Sequence, residues 1–422
     1  MPLFGKRALY YRTLVFTLVI VAGCGRNDPP ASEATPSPAA PAAATAPAHP
    51  QRNIRSAFYN FTLTTYAGLV PPPDRQRAGG SLTPLSDGFL LVTAAGDFYR
   101  LSWAQGADTL VAEKISLTAP FNRAEMLAAS SAELAGPFRI TDLLVDERRS
   151  DKRIYVAHHH WNKDGNCVTL RVSSATLLRS ADAAPAWTTL FDSRPCLTVG
   201  DMWATGEAAD RGGGRLAFSR GGLLLSVGDY GFEGLNERLA YPQLPDVSYG
   251  KILLLDMAGG AATFSLGHRN PQGLFVDSQG RVWSTEHGPE GGDELNLLVR
   301  GGNYGWPLAT YGTEHDNDVW PLAADPGSHG QFREPTEAFV PAVGISQLLQ
   351  VGSKYVPRWA GDLLVSSLQA ATLFRVHLAG DRVIYTERLD VSTRVRDIAE
   401  GQDGRIVIWN DDGEVASLTL AH

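Results

Sequence analysis

Beyond residue 53 the chain alternates short apolar runs with clusters of Gly, Asp and Asn. The theme of apolar strand, tight turn and second apolar strand returns six times, at 88–103, 140–161, 214–229, 273–288, 348–378 and 398–420. The clearest instances read RLAFSRGGLLLSVGD, GLFVDSQGRVWSTEHG and DIAEGQDGRIVIWNDDGEVASLTL. In the second of these, Asp277-Ser278-Gln279-Gly280 separates Phe275-Val276 from Val282-Trp283, which is a hairpin signature. Further short strands are expected at 251–256 and 295–299. Helix-period patterning is scarce and confined to short stretches, such as 123–135. Repeats of several short strands point to a β-propeller or a solenoid. The spacing is uneven, with long insertions, which suits a propeller better than a solenoid of uniform repeats. The expected fold is all-β, a six-bladed β-propeller over 53–422, with a strand near 57–66 completing the last blade. Loops at 229–235, 267–272, 286–294 and 394–397 are expected to meet at one end of its central channel.

Composition agrees with a turn-rich globular body. Of 422 residues, 44% are hydrophobic and 19% charged, with 43 Gly and 26 Pro. The net charge of −8 and the lack of a Lys/Arg run with interleaved aromatics exclude a nucleic-acid-binding face.

The N-terminus reads differently. Lys6, Arg7 and Arg12 precede an apolar run at 14–22 that is too short to span a bilayer. Val21-Ala22-Gly23-Cys24 then matches a bacterial lipobox, so 1–23 is expected to be a lipoprotein signal peptide and Cys24 the lipidated residue; an ordinary secretory signal is the alternative. Gly25 after the cysteine suggests the outer membrane, facing the periplasm. Residues 24–52 are rich in Pro and Ala and cannot bury a core, so they read as a tether. In an oxidising periplasm Cys167 and Cys196 invite a disulfide; two separate buried thiols are the alternative.

The stretch 266–307 concentrates the candidate chemistry. Arg269-Asn270 stand at the mouth of a strand, and Glu286-His287-Gly288-Pro289 precede a Gly-Gly-Asp-Glu run. Glycine permits backbones that expose carbonyls, which hard cations such as calcium bind, and Gly288 and Pro289 are the candidates; a plain turn is the simpler reading. Asp293 and Glu294 could ligate a metal or bond neighbouring backbone. Arg394 and Arg396 alternate along an extended segment and so point the same way. With Arg269 they could hold a polycarboxylate or phosphate, or make ordinary surface ion pairs. Asp229 stands at a blade end, to orient a catalytic base or to cap a turn. His158 and His160 share a strand face and read as a wet strand end rather than a metal pair. His315, Asp316 and Asp318 form a polar loop that reads the same way. Trp306 reads as core. No Ser/His/Asp order, Walker A loop or Cys-x-x-Cys motif occurs, and the 212–214 glycine run lacks the lysine of a phosphate loop.

Three blocks, GHRNPQGL at 267–274, EHGPEGGDELN at 286–296 and GGNYGWPLATYG at 301–312, resemble the glucose/sorbosone dehydrogenase family. GGRLAFSRGGLLLSVGD at 213–229, GDLLVSSLQAATLFRV at 361–376 and RVRDIAEGQDG at 394–404 extend the resemblance, which is weak before residue 200. It implies a six-bladed propeller and a sugar dehydrogenase that uses pyrroloquinoline quinone (PQQ) and calcium. It also implies that Arg269, Asn270, Arg394 and Arg396 bind cofactor, that carbonyls of Gly288 and Pro289 hold calcium, and that Asp229 supports the catalytic base. The family's base is a histidine in a His-x-Gly-Gly-Arg-Leu segment; here Arg211 stands at that position. The family's lysine after Ser-Leu is Gln369, and its early cofactor glutamine has no clear match near Leu143-Leu144. Two functions are therefore expected: a lipid-anchored periplasmic sugar dehydrogenase passing electrons to a periplasmic acceptor, or a catalytically impaired propeller binding a sugar, a cell-wall fragment or a protein.

Overall fold

The computed structural model describes residues 49–71, 79–105, 108–129, 138–148, 150–177, 185–200, 208–235, 238–314 and 318–421. The expected signal peptide, Cys24, nearly all of the tether, and His315 with Asp316 lie outside the described residues.

Residues 49–421 form a six-bladed β-propeller, with six sheets among the described residues, antiparallel apart from Gly302–Asn303, which pairs parallel with Ala261–Leu266 in blade 3. Blade 1 is built from Gly80–Leu85, Gly88–Thr93, Phe98–Trp103 and Leu110–Ile115. Blade 2 uses Ile140–Asp146, Arg153–Asn162, Cys167–Thr176 and Thr188–Asp192, and blade 3 uses Gly213–Ser219, Gly222–Val227, Lys251–Leu255 and Ala261–Leu266. Blade 4 follows with Pro271–Val276, Val282–Glu286, Asp293–Leu298 and Glu337–Phe339, and blade 5 with Ile345–Gln350, Leu363–Ser367, Thr372–Ala379 and Arg382–Asp390. Blade 6 begins with Val395–Glu400, Ile406–Asn410 and Val415–Leu420. The N-terminal strand Asn60–Tyr66 then pairs antiparallel with Val415–Leu420, and Gln51–Arg55 adds outside it. The ring thus closes through chain ends far apart in sequence. The Gln51–Arg55 strand starts two residues inside the segment expected to be tether.

The first strand of each blade packs against the first strand of the next, all the way round. Each blade interface carries its own apolar cluster: Val92, Phe98 and Ile154 between blades 1 and 2; Leu170, Leu223 and Tyr249 between 2 and 3; Trp283, Ile345 and Val365 between 4 and 5. Strands covered on both faces read as continuous apolar runs, which is why Leu223-Leu224-Leu225 are all buried. Glycine opens the second strand in blades 1 and 3 for a shared reason. A Cβ at Gly88 would lie 2.2 Å from the Leu101 carbonyl, and one at Gly222 would lie 2.2 Å from that of Leu255. The hairpin at 277–280 forms as patterned, with Val276 opposite Val282. Arg123–Ala129 forms a short helix, and short 3-10 turns occur at Ala208–Arg211, Tyr241–Gln243 and Pro357–Trp359. Cys167 and Cys196 form a disulfide.

An ionic cluster fills the middle of the channel. Arg215 donates Nη1 to Asp142 at 3.2 Å and to Asp397 at 2.8 Å, Nη2 to the Arg396 carbonyl at 2.8 Å and Nε to the Gln272 carbonyl at 2.9 Å. Past this plug, towards the C-terminal ends of the inner strands, the channel widens to about 420 Å³, lined by Leu82, Leu143, Phe218, Phe275, Leu349 and Ile398 among others.

Candidate active site

In an antiparallel blade the start of the inner strand and the end of the second strand lie at the same end. The registers Gly213 opposite Val227, Pro271 opposite Glu286, Ile345 opposite Ser367 and Val395 opposite Asn410 make this explicit. Residues just before inner strands (Arg139, Arg211, Arg269-Asn270, Arg394) and just after second strands (Asp229, His287-Gly288, Gln369, Asp411) therefore ring one channel mouth. Of the sequence-predicted residues, Arg211, Asp229, Arg269, Asn270, Gly288, Pro289, Arg394 and Arg396 belong to it.

Arg269 is 9% exposed and its guanidinium lies 5.3 Å from the Trp306 ring centre. Nη1 donates to the His287 carbonyl at 3.4 Å, while Nε is buried without a partner. Burial, with Arg211 next to it, draws its pKa down to about 10, so it stays charged at neutral pH. Asp229 is fully buried. Its Oδ2 accepts the Trp306 indole N–H at 2.7 Å and its Oδ1 the Gly231 N–H at 2.9 Å. Trp306 is buried, as its pattern suggested, and it also links Asp229 to Arg269.

Arg211 is held close to this group by backbone packing. Gly228 N donates to the Gly212 carbonyl, and a Cβ at Gly228 would lie only 1.7 Å from the Arg211 carbonyl. Arg211 Nη1 meets Glu233 Oε2 at 3.4 Å. Burial raises the Glu233 carboxyl above its ordinary range and the Asp229 charge adds to this, against Arg211 and Arg269.

A second group is joined to the first. Asn270 Oδ1 accepts from Gly213 N at 3.3 Å and from Gln272 Nε2 at 2.8 Å; Gln272 Oε1 accepts from Arg396 Nη1 at 3.1 Å. Arg396 grips Asp411 through two bonds of 2.7 and 3.0 Å, and exposed Arg394 reaches the same carboxylate at 3.4 Å. The two arginines do point the same way. Burial alone would raise the Asp411 pKa, but Arg396, Arg394 and Arg139 hold it below the usual range.

Arg139 was not anticipated. It is 8% exposed, pairs with Asp210 at 3.3 Å and faces Arg396. Its signal was positional: it precedes an inner strand as Arg269 and Arg394 do. Glu233, Asp210 and Asp411 carried no comparable signal, since nothing local says which acid meets which arginine.

The histidine run corrects an expectation. His158 is fully buried rather than wet, as is His159 beside it, because Phe121 and Phe138 cover the strand, while His160 is half-buried. His158 bonds Ser173 Oγ at 3.0 Å and the His159 carbonyl at 2.9 Å. His159 Nδ1 accepts the Arg139 N–H at 3.2 Å, so its proton sits on Nε2, which meets Tyr230 Oη at 3.0 Å. Burial draws both imidazoles down to about 3, so they stay neutral.

Asp293 and Glu294 bond protein groups. Asp293 accepts the N–H groups of Gly288, Val343 and Ile345, and Glu294 meets Asn296 and His329. Among the described residues no cluster of three acidic, His or Cys side chains offers a metal site. No donor among them bonds the carbonyl oxygens of Gly288 or Pro289, so these remain acceptors for a hard cation. A mouth with several arginines, one bearing a buried unpartnered N–H, fits a polyanionic group. The position of the expected base does not fit proton transfer, because Arg211 cannot deprotonate.

Comparison with known proteins decides the family. The pattern of the Glucose / Sorbosone dehydrogenase family matches residues 139–418. This chain belongs to that family. This family member is 27% identical over 297 residues to aldose sugar dehydrogenase YliI of Escherichia coli (strain K12), covering 66% of this chain and 76% of that one. It is 25% identical over 242 residues to quinoprotein glucose dehydrogenase B of Acinetobacter calcoaceticus, covering 40% of this chain and 51% of the other. A 169-residue stretch is 32% identical to an uncharacterized protein of Synechocystis sp. (strain ATCC 27184 / PCC 6803 / Kazusa), 39% of this chain and 40% of that protein. A glucose dehydrogenase crystal structure superposes with a TM-score of 0.67 at 26% identity, covering 83% of this chain and 98% of its own.

Proposed function

We propose that this protein is a PQQ- and calcium-dependent aldose dehydrogenase, tethered through Cys24 to the outer membrane and passing electrons to a periplasmic acceptor. The observation that carries the reading is the convergence of Arg139, Arg211, Arg269, Arg394 and Arg396 on one mouth, beside the unbonded carbonyls of Gly288 and Pro289. Arg269 Nε would gain a partner from a carboxylate of the cofactor, and Arg394 is exposed enough to turn to it. Asn270 and Gln272 hold Arg396 in place, and the central ion cluster fixes the backbone of both Gln272 and Arg396. The two free carbonyls would hold the calcium. The bound quinone would accept the hydride from the sugar C1; the chain would orient the sugar and take its hydroxyl proton. The membrane anchor is supported by the lipobox and tether alone.

The test is calorimetry of purified protein with PQQ and calcium, followed by dye-coupled oxidation of aldoses. Micromolar or tighter binding with turnover is expected, and no PQQ binding would sink the reading. Arg211 and exposed Gln369, at the family's His and Lys positions, favour a second reading, a binding module. PQQ bound without any turnover would support it.

A further inference from the structure

The family's base position holds an arginine here, yet that arginine is paired with a carboxylate. We propose that Glu233 is the proton acceptor for the sugar C1 hydroxyl, with Arg211 as its positioning residue. The proposal rests on the dehydrogenase reading above.

Three observations lead to Glu233. The first is place. Glu233 lies on the loop that follows the second strand of blade 3, and its Oε2 is 3.4 Å from Arg211 Nη1. Its side chain is 13% exposed, against 18% for Arg211, so the pair is largely shielded but not sealed from the mouth. The second is elimination, His160 being set aside because its charged neighbours are Arg171, Asp192 and Glu125 and not residues of the mouth. Asp229 has both oxygens committed, to Trp306 and to Gly231, and no exposure. His159 has its lone pair on Nδ1 occupied by the Arg139 N–H. His268 is locked between Ser265 at 2.8 Å and Glu286 at 2.9 Å, and His329 between Glu294 and the Arg333 carbonyl. His287 donates Nε2–H to the Ile345 carbonyl and adjoins the two carbonyls offered to calcium, where a dication would oppose its protonation. The third is tuning. Among the described residues the groups that face Glu233 are Arg211, Arg269 and Asp229, with Arg238 on its own loop bonded to the Gly231 carbonyl. Burial and Asp229 lift its carboxyl, and Arg211 and Arg269 restrain that rise. A carboxyl raised in this way accepts protons closer to neutral pH, as a general base requires.

The step balances. With a quinone bound to accept hydride, the C1–O–H proton would pass to a Glu233 oxygen as the C1–H bond breaks and C1=O forms. An aldose becomes its lactone, the sugar losing two hydrogens and the quinone gaining two electrons. Glu233 then releases its proton to water at the mouth.

The experiment compares wild type, Glu233→Gln, and Glu233→Gln combined with Arg211→His, all loaded with PQQ and calcium. Calorimetry reports cofactor binding and the dye assay reports kcat against pH. In Glu233→Gln, PQQ binding is expected to stay within about threefold and kcat to fall by about a hundredfold or more. Restoring the family's histidine in the double variant is expected to recover part of the rate, with a new pH profile. An independent readout uses the apo protein: the infrared carboxylic-acid band of Glu233 is expected to titrate above pH 4.5 and to be missing from Glu233→Gln. Retention of more than about a third of kcat with an unmoved pH profile would overturn the assignment, as would no Glu233 titration above that pH. Failure of wild type to bind PQQ would instead refute the dehydrogenase reading, and the base assignment with it.

Discussion

Arg215→Met should test the ion cluster that spans the channel. Arg215, Asp142 and Asp397 are each 2% exposed or less. With charge centres roughly 4 Å apart and an effective dielectric of about 20, each carboxylate attracts the guanidinium by about 4 kcal/mol. Most of that attraction offsets the cost of removing three charges from water. Methionine fills a similar volume but leaves two carboxylates buried and facing each other, so the expected loss of stability at about pH 8 is about 3–5 kcal/mol. The loss should depend on pH. Burial already lifts Asp142 above the ordinary carboxyl range, with Arg215 opposing it and Asp397 adding to it. Without Arg215, Asp142 rises further, and the folded variant holds a proton that the unfolded chain has released. A raised folded pKa contributes stability at low pH that is lost as pH rises through it. The deficit relative to wild type should therefore shrink towards about pH 5.5. Urea unfolding of both proteins, followed by tryptophan fluorescence at the two pH values, gives this difference and cancels what they share. A loss below about 1 kcal/mol at the higher pH, or an equal loss at both, would refute the reasoning. Adding Asp142→Asn should return part of the loss, since the remaining charge is then alone.

Two further outcomes are expected. His158 and His159 have folded pKa values of about 3 against 6.5 unfolded, so their contribution is complete above 6.5 and lost as pH falls towards 3. By about pH 5 each should cost about 2 kcal/mol, and His158→Gln should remove about half of that slope in acid titrations of unfolding. Reducing the Cys167–Cys196 bond, which closes a separation of 29 residues, should lower stability by about 3–4 kcal/mol, read as a shift of the urea midpoint in reductant; an unmoved midpoint would show that the loop is held by its other contacts.

The blades were legible because their signals are local. Alternating apolar runs with Gly and Asp turns specify strands within a few residues, and six returns of that theme leave few architectures. The mouth was legible for a related reason: in an antiparallel blade every residue just before an inner strand emerges at the same end, so Arg269 and Arg394 could be placed together, and Arg139 could have been. The run of polar histidines at the strand end hid the burial of His158 and His159, since exposure there depends on what covers it, here Phe121 and Phe138.

Pairing of charges belonged to the ring. Arg215 meets Asp397 across 182 residues and Arg396 meets Gln272 across 124. Such contacts exist only after six blades close, because Coulomb attraction in a dry channel depends on distance in space and not along the chain. The same holds for Arg211. Read alone, it is the loss of a histidine. Folded, it stands beside Glu233, and that neighbour supplies a group able to accept a proton.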